Sequence, residues 1–345
     1  MINDENEQVV QPLLQVANLV KYFNSGRKKW FGGHPAQVRA VDDVSFSVLP
    51  GETLGLVGES GCGKSTLARL LIRLLDPTSG SVQFEGVELA SAPRKEIHRM
   101  RSRMQMVFQD PYASLNPRMN VAEIVGEPWR NYPELAPADP TERLGELLTA
   151  VGLGHRDHQR YPHEFSGGQR QRIGIARAIA LDPKFIVCDE PVSALDVSVQ
   201  AQVVNLLMDL QSRLGLTYVV IAHDLSVVRH IADRVAVMYL GKIVEMGTTD
   251  EVYRRPTHPY TQMLLAAIPI EHPDMRTSER PLQVGGEVPS PTDPPSGCRF
   301  RTRCWKAQEI CAVEEPGLVL RDDGLDLHLS ACHFPEALDV LSQQR

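Results

Sequence analysis

The sequence predicts an α/β fold in which a mixed sheet core carries an inserted helical subdomain and a small cysteine-containing C-terminal extension. Apolar, strand-sized segments recur along the chain and alternate with helical patterns, as in α/β domains. One of these strands leads directly into a glycine-rich loop, Gly58–Thr66, and a helix follows the loop. A length of 345 residues leaves room for one large domain with an appended segment, or for two modest domains.

Composition excludes several classes of partner. The formal net charge is −7 and the pI is near 5.9, so the chain lacks the basic surface that nucleic acid requires. The longest apolar runs, such as Tyr218–Ala222, are far shorter than the roughly 20 residues that span a bilayer. We therefore expect a soluble, cytoplasmic chain that can dock onto a membrane protein.

The chain divides into a tail, a main domain and an extension. Residues 1–11 begin MINDENEQ and are polar and acidic, which predicts a disordered tail and not a signal peptide. Residues 12–262 contain the strands and the glycine-rich loop, and helical patterns broken by prolines predict a helical subdomain inserted over about residues 110–182. Residues 263–345 form the extension, which contains a Pro-rich linker near residues 281–295.

The glycine-rich loop has the spacing G-x-x-x-x-G-K-[ST] between the strand Thr53–Val57 and a helix with leucines on one face. Glycines allow backbone N–H groups to surround phosphate oxygens, and the helix N-terminus adds partial positive charge. We expect Lys64 to contact the β- and γ-phosphates and the Ser65 hydroxyl to hold Mg²⁺. The loop predicts binding of a nucleoside triphosphate through Gly58, Ser60, Gly61, Cys62, Gly63, Lys64, Ser65 and Thr66.

Two strand ends near this loop carry further candidates. Residues 13–23 predict a strand that ends in Tyr22 and Phe23, and these aromatics either stack on an adenine ring or pack on the core. The strand Met104–Phe108 is followed by Gln109, whose amide can ligate Mg²⁺ and orient the attacking water.

The segment Ser166–Ala180 predicts a helix with an unusual start. Ser166 and Gln169 form a capping box, and Gly167 and Gly168 occupy the first two helical positions. Each glycine costs about 1 kcal/mol of helix stability relative to alanine, which suggests that something approaches the backbone there. A helix N-terminus with free N–H groups is a second phosphate-binding site. Two such sites far apart in the sequence predict that ATP is shared between two subunits.

Polar residues also follow two buried strands later in the chain. Phe185–Cys188 leads into Asp189 and Glu190, and Leu216–Ala222 leads into His223. We expect Asp189 to bind Mg²⁺ through water and Glu190 to orient or deprotonate the attacking water. His223 stands at the carboxyl end of its strand, where ligands bind in open α/β sheets, and can hydrogen-bond the γ-phosphate.

Six segments in this order resemble the motifs of the ATP-binding-cassette (ABC) ATPases, which are P-loop NTPases with an ABC nucleotide-binding domain. The resemblance covers about residues 12–262, and Phe165, where many members have Leu, is a small departure. The matching segments are Gly58–Thr66, Gln109, Ser166–Gln169, Asp189–Glu190, Ser193–Asp196 and His223.

The resemblance implies a role for each matching residue. In that family two cassettes close head-to-tail, and each ATP lies between one phosphate loop and the partner's signature helix. Phe23 is favoured as the adenine-stacking aromatic, with Tyr22 second. The residues implied to act within one chain are Lys64, Ser65, Gln109, Asp189, Glu190 and His223, of which Gln109, Glu190 and His223 are catalytic and Ser65, Gln109 and Asp189 hold Mg²⁺. The residues implied to act across the dimer are Ser166, Gly168 and Gln169, and the predicted nucleotide-binding set also includes Gly167 and Asp196.

Three further segments resemble one branch of this family, the ATPases of oligopeptide and dipeptide permeases. They are His258–Thr261 (HPYT), Gln109–Pro117 and Pro191–Gln200. This resemblance implies an ATPase at the cytoplasmic face of the membrane that powers import of peptides. Its implied partners are a second cassette, two membrane permease subunits and, indirectly, a peptide-binding protein.

Other functions stay open. The solute can be glutathione, nickel or a haem precursor, and a soluble ABC ATPase of translation or DNA repair is a rival, although those usually carry two cassettes or a long coiled coil. A P-loop kinase or GTPase is disfavoured, because Ser166–Gln169 has no place in a kinase and the guanine-reading N-K-x-D pattern is absent from the sequence. Similarity to the F-type subunit of dipeptide permeases favours a paralogous partner cassette.

The extension carries four cysteines in the spacing C-x5-C-x6-C-x20-C, namely Cys298, Cys304, Cys311 and Cys332. Disulfides are not expected in a cytosolic protein, and structural zinc sites usually have closer cysteine pairs. Four thiolates suffice for a [4Fe–4S] cluster, and the similarity to F-type subunits implies one. Zinc, packed thiols and a redox- or iron-sensing role remain alternatives. Cys62 and Cys188 are interpreted as structural.

Overall fold

The computed structural model describes residues 11–24, 37–268, 287–321 and 328–338. Residues 1–10 of the predicted tail and the first part of the predicted Pro-rich linker lie outside these ranges. Within them, no helix is long and apolar enough to cross a membrane.

The described residues form twelve β-strands and eleven α-helices. The strands are β1 (Leu14–Asn24), β2 (Gln37–Val48), β3 (Thr53–Val57), β4 (Ser79–Phe84), β5 (Val87–Glu88), β6 (Met104–Val107), β7 (Phe185–Asp189), β8 (Thr217–Ala222), β9 (Arg234–Tyr239), β10 (Lys242–Thr248), β11 (Val319–Leu320) and β12 (Leu329–Ser330). The helices are α1 (Lys64–Leu71), α2 (Arg94–Arg101), α3 (Val121–Val125), α4 (Glu127–Asn131), α5 (Pro140–Ala150), α6 (Gly167–Ile179), α7 (Val197–Leu214), α8 (Leu225–Ile231), α9 (Thr249–Arg254), α10 (Pro259–Ala266) and α11 (Ile310–Val313).

The larger sheet confirms the predicted mixed α/β core. Its strand order is β11-β12-β10-β9-β3-β8-β7-β6, and β9, β3, β8, β7 and β6 run parallel. Val57 pairs with Ala222, and Cys188 pairs with Val220. The residues that follow or end these strands, Gly58, Asp189 and His223, therefore meet at one carboxyl edge of the sheet, where ligands bind in such folds.

A smaller antiparallel sheet, in the order β2-β1-β4-β5, packs over one side of this core. Strand β7 shows how the two sides separate, because its residues alternate between two apolar clusters. Phe185 and Val187 belong to the cluster shared with the small sheet and α1, and Ile186 and Cys188 belong to the cluster shared with the helices after β6. A strand that is covered on both faces is expected to be a continuous run of apolar residues, and β7 has such a run in the sequence.

The helical pattern predicted after β6 is confirmed as helices. Helices α3, α4, α5 and α6 lie between β6 and β7, and their apolar residues join β7, α7 and β8 in one cluster. The domain boundaries placed in the sequence remain predictions.

The sequence interpretation missed how the extension joins the core. Strands β9 and β10 form a hairpin, and β12 of the extension pairs with β10 so that Glu245 stands opposite Ser330. The extension thus completes the larger sheet. Strands β11 and β12 have two residues each, which is too short for an alternating pattern to be recognised in the sequence.

Candidate functional site

The phosphate loop needs glycine at the positions where the sequence pattern has it. Gly63 has a φ of 111°, and a Cβ atom there would lie 2.0 Å from the carbonyl oxygen of Ala40. At Gly58, with a φ of 153°, the added carbon would lie 2.1 Å from the carbonyl oxygen of Met238. Both contacts are with backbone atoms that cannot move aside, so the loop conformation depends on these two glycines.

Lys64 lies inside this loop and is 5% exposed. Its ammonium Nζ donates hydrogen bonds to the carbonyl oxygens of Gly58, at 2.7 Å, and of Glu59, at 2.9 Å. These carbonyls hold the buried ammonium inside the curve of the loop.

The hydroxyl of Ser65 and the carboxylate of Asp189 face each other, with Oγ donating to Oδ1 at 3.0 Å. Burial raises the pKa of the Asp189 carboxyl, and the bond from Ser65 partly offsets this. A buried carboxylate next to a hydroxyl is a set of hard oxygen ligands that suits Mg²⁺.

Two of the predicted catalytic residues converge on the carboxylate of the third. The amide Nε2 of Gln109 donates to Glu190 Oε2 at 2.7 Å, and Nδ1 of His223 lies 3.6 Å from the same oxygen. Glu190 adopts a φ of 47°, in the left-handed region that non-glycine residues seldom use. Such strain persists where surrounding structure fixes it, and it is often found at functional sites.

The two candidate aromatics have separate environments. Phe23 is 37% exposed and lines a pocket of about 250 Å³ together with Gly61, Lys64 and Thr66. The Tyr22 hydroxyl instead donates to Asp42 Oδ1 at 2.6 Å, and burial with this bond raises the pKa of Tyr22 to about 12. Phe23 is therefore the aromatic that the structure brings to the phosphate loop.

The extension contributes a residue to this pocket that the sequence interpretation missed. Pro291 is one of the lining residues, and its carbonyl oxygen accepts a hydrogen bond from the backbone N–H of Arg39 at 3.1 Å. The two residues are far apart in the chain, so no local sequence pattern signals this contact.

Helix α6 begins as predicted but lies apart from the pocket. Ser166 and Gln169 form the capping box, the Gln169 N–H donating to Ser166 Oγ at 3.3 Å. The close approach expected at these glycines is found within the chain at Gly168, where a Cβ would lie 2.3 Å from Val199, and the role of this helix start in phosphate binding stays a prediction. Among the described residues that line the pocket with Phe23, none comes from Ser166–Gln169 or is Asp196.

The sequence of this chain matches those of known proteins. Residues 41–193 match the family described as "ABC transporter", and residues 244–311 match "Oligopeptide/dipeptide transporter, C-terminal region". The "Oligopeptide transport ATP-binding protein OppF" of Salmonella typhimurium is 53% identical over 322 residues, which cover 93% of this chain and 95% of that protein. The "Putative oligopeptide transport ATP-binding protein YkfD" of Bacillus subtilis is 53% identical, covering 94% of this chain and 95% of its own length.

This chain belongs to the ABC-transporter ATP-binding proteins. Among solved structures, it is similar to the dimeric ATP-binding cassette MJ0796 in a post-hydrolysis state bound to ADP and Pi. The TM-score is 0.60 at 28% identity, and the match covers 68% of this chain and 98% of that one. The fold is therefore that of an ABC cassette, and the chain is an ATPase of this family.

The four cysteines of this ABC ATPase are brought together by the extension. Cys298, Cys304, Cys311 and Cys332 line one narrow cavity, with His333 at its edge, and all six cysteines of the chain are free thiols. Burial, with the other three thiols adding to it, raises the pKa of Cys298 to about 11. Nonetheless, no group of three or more His, Cys, Asp or Glu side chains in the described ranges is placed to hold a metal ion. The metal geometry therefore does not support the iron–sulfur prediction.

The other two cysteines pack as the sequence interpretation expected. Cys188 is fully buried in β7, where burial raises its pKa to about 12. Cys62 is 5% exposed inside the phosphate loop, and burial raises its pKa as well.

Proposed function

We propose that this ABC ATPase powers the import of oligopeptides as one of two cassettes on a pair of membrane permease subunits. The observation that carries the proposal is the convergence of Gln109 and His223 on Glu190, beside the Ser65–Asp189 pair. Similarity to oligopeptide transport ATP-binding proteins over nearly the whole chain supports the substrate class.

Each site residue has a chemical task in this proposal. Lys64 exchanges the carbonyls of Gly58 and Glu59 for the β- and γ-phosphates of ATP, and Phe23 stacks on adenine. Ser65, Asp189 and Gln109 hold Mg²⁺, which neutralises charge on the phosphates when bound. Glu190 accepts the proton of the attacking water, and His223 donates to the γ-phosphate. Gln109 and His223 both contact the carboxylate of Glu190, so they fix its direction before water arrives.

The signature residues act on the ATP of a second cassette. Ser166, Gly167, Gly168 and Gln169 start helix α6, whose first N–H groups have no partners within the helix. A helix start of this kind attracts phosphate, and these residues lie outside the pocket of their own chain. This supports a head-to-tail dimer, in which we place Asp196 at the interface, and the similarity to F-type subunits favours a paralogue as the second cassette. The assembly sits at the cytoplasmic face of the membrane, where a peptide-binding protein delivers the solute from the other side.

The Glu190→Gln variant tests the proposal. It should bind ATP yet hydrolyse it at least about 100-fold more slowly, because general-base catalysis contributes 10²–10⁴-fold. The closed complex should then persist, so an affinity pull-down from detergent-solubilised native membranes with MgATP should recover two permease chains and a second cassette. The Lys64→Ala variant lacks the ammonium that contacts the phosphates, so its pull-down should recover much less of the second cassette. Recovery of ribosomal or DNA-repair proteins without membrane chains would overturn the transport function.

We also propose that the cysteine cavity binds a [4Fe–4S] cluster through Cys298, Cys304, Cys311 and Cys332. Four thiols are the ligands that such clusters take, and all four line this cavity, although the described residues do not arrange them around a metal position. Since burial raises the pKa of Cys298, Cys304 and Cys332, cluster binding would release protons at neutral pH.

Iron and acid-labile sulfide measured on anaerobically purified chain test this proposal. We expect both in about equal amounts in the wild type and in His333→Gln, which changes the cavity edge without removing a thiol. We expect both to be lost in Cys332→Ser. Well-folded wild type that contains zinc, or no metal, would show that the cysteines serve another purpose.

A further inference from the structure

The segment that carries Cys298 and Cys304 also carries two arginines directed into the cassette. The side chains of Arg299 and Arg303 are only 6% and 8% exposed, although arginine normally keeps its charge in water. Each guanidinium meets a carboxylate of the cassette near the ATP pocket. The segment 298–304 is called the strut below.

Arg303 binds a residue of the phosphate loop itself. Its Nη1 and Nη2 donate to the two carboxylate oxygens of Glu59 at 2.7 and 2.9 Å, a two-pronged pair. The backbone N–H of Glu59 donates to the hydroxyl of Tyr260 at 2.8 Å, so both ends of the residue are fixed. Bidentate arginine–carboxylate pairs fix the orientation of the two side chains as well as the distance between them.

The position of Glu59 explains why such a pair matters. It lies between Gly58 and Ser60 of the phosphate loop, and its carbonyl oxygen accepts a hydrogen bond from Lys64 at 2.9 Å. A carboxylate at this place repels the phosphates of ATP, and the repulsion is strong in a partly buried site. The guanidinium of Arg303 neutralises that charge and holds the carboxylate away from the inside of the loop.

Arg299 contacts a second part of the cassette. It donates to Asp42 and to the carbonyl oxygen of Leu240, and Asp42 accepts the Tyr22 hydroxyl at 2.6 Å. Tyr22 precedes Phe23, the aromatic that lines the pocket. One short segment of the extension therefore supports the phosphate loop and the strand beside the adenine position.

We propose that Arg303 is a positioning residue for nucleotide binding, acting through Glu59 on the phosphate loop. This inference rests on the proposed function in one respect, that the loop binds ATP. The strut thereby makes the extension a part of the ATP site in its own chain.

The decisive experiment is a cycle of single and double variants in which the affinity for a fluorescent, non-hydrolysable MgATP analogue is measured on the full chain. Arg303→Met should weaken binding by about tenfold, or about 1.4 kcal/mol. In Glu59→Gln the charge that needs compensation is gone, so adding Arg303→Met should change the affinity by less than about twofold, the coupling expected of a contacting pair. Thermal unfolding of each variant monitors the fold.

Arg301→Met is the matched control, because Arg301 lies in the same strut and its guanidinium donates to Ser296 of the extension, at 2.9 and 3.3 Å, and to no cassette residue among those that the structure describes. It should bind the analogue as the wild type does. If Arg303→Met does not fold, Arg303→Lys replaces it in the same cycle, since lysine keeps the charge and loses the two-pronged bond.

Two results would overturn the inference. The first is an affinity of Arg303→Met equal to that of Arg301→Met. The second is an equal loss on removing Arg303 with and without Glu59→Gln, as a merely structural role would give. A wild-type chain that binds no analogue would instead contradict the proposed function.

Discussion

At the scale of single residues, the candidate ATP site contains a carboxylate, that of Asp189, whose ionised form makes the folded chain less stable. Asp189 is 4% exposed, and burial raises the pKa of its carboxyl, with the neighbouring Glu190 adding to the shift. A pKa raised on folding means that the ionised form is less stable in the folded chain than in the unfolded one. At pH values above that pKa, the carboxylate therefore destabilises the nucleotide-free cassette, and under the proposed function bound Mg²⁺ and nucleotide would offset that cost.

Asp189→Asn should separate stability from function. The neutral amide removes the buried charge and its oxygen can still accept the Ser65 hydroxyl, so the nucleotide-free variant should melt at a higher temperature than the wild type near pH 7.5. The same variant should lose at least about tenfold, or 1.4 kcal/mol, of the Mg²⁺-dependent affinity for ATP.

Calorimetry with and without Mg²⁺ measures both effects for Asp189→Asn. Asp209→Asn is the control, because its side chain is 55% exposed and lies on α7 away from the pocket. A lower melting temperature for Asp189→Asn, or an unchanged dependence on Mg²⁺, would contradict the interpretation of Asp189.

At the scale of elements, the sequence was most informative where a strand ends in a polar residue. The strands before Gly58, Asp189 and His223 are buried along their whole length and mostly apolar because they are covered on both faces, and such strands place their ends at one sheet edge. The contacts among Gln109, Glu190 and His223 follow from this arrangement. The left-handed backbone of Glu190 does not, since no residue type in the sequence signals it.

The glycines at the start of α6 show where an interpretation of the sequence alone was incomplete. Their cost to the helix predicted a close approach, and a close approach exists, but the neighbour at Gly168 is Val199 of the next helix. A glycine in a helix indicates only that there is little room for a side chain at that position. Whether a side chain or a ligand fills that space depends on tertiary packing, which no short pattern encodes.

At the scale of the whole molecule, the extension joins the cassette through contacts that span most of the chain. Arg303 pairs with Glu59 across 244 positions, and Glu245 of β10 meets His328 across 83. Pairings of this length leave no periodic signal, so the sequence predicted the extension and its cysteines but not its place against the ATP site.

Glu245 is the buried acceptor that fixes this arrangement. It accepts from the backbone N–H of Thr257 at 2.6 Å, the Thr257 hydroxyl at 2.9 Å and the N–H of His258 at 3.1 Å, and it pairs with His328 Nε2 at 2.7 Å. Burial alone would raise the pKa of Glu245, but these partners outweigh it and lower the pKa below its ordinary value of 4.5. The stability that Glu245 contributes is therefore present above pH 4.5 and lost as the pH falls through the lower folded value.

Glu245→Ala should detach the extension from the cassette. It leaves several buried donors without an acceptor, and breaking a buried charged network of this kind costs about 3–5 kcal/mol. Lys242→Ala is the control, because its partner Glu315 also joins β10 to the extension but is 46% exposed, and exposed pairs contribute at most about 1 kcal/mol.

Urea unfolding at pH 7.5, together with proteolysis of residues after 287, measures the difference. The difference in stability between the two variants should become smaller only when unfolding is measured below pH 4.5. Equal stability of the two variants at pH 7.5 would show that the extension is held by its other contacts, among them the Arg299 and Arg303 pairs, and not by Glu245.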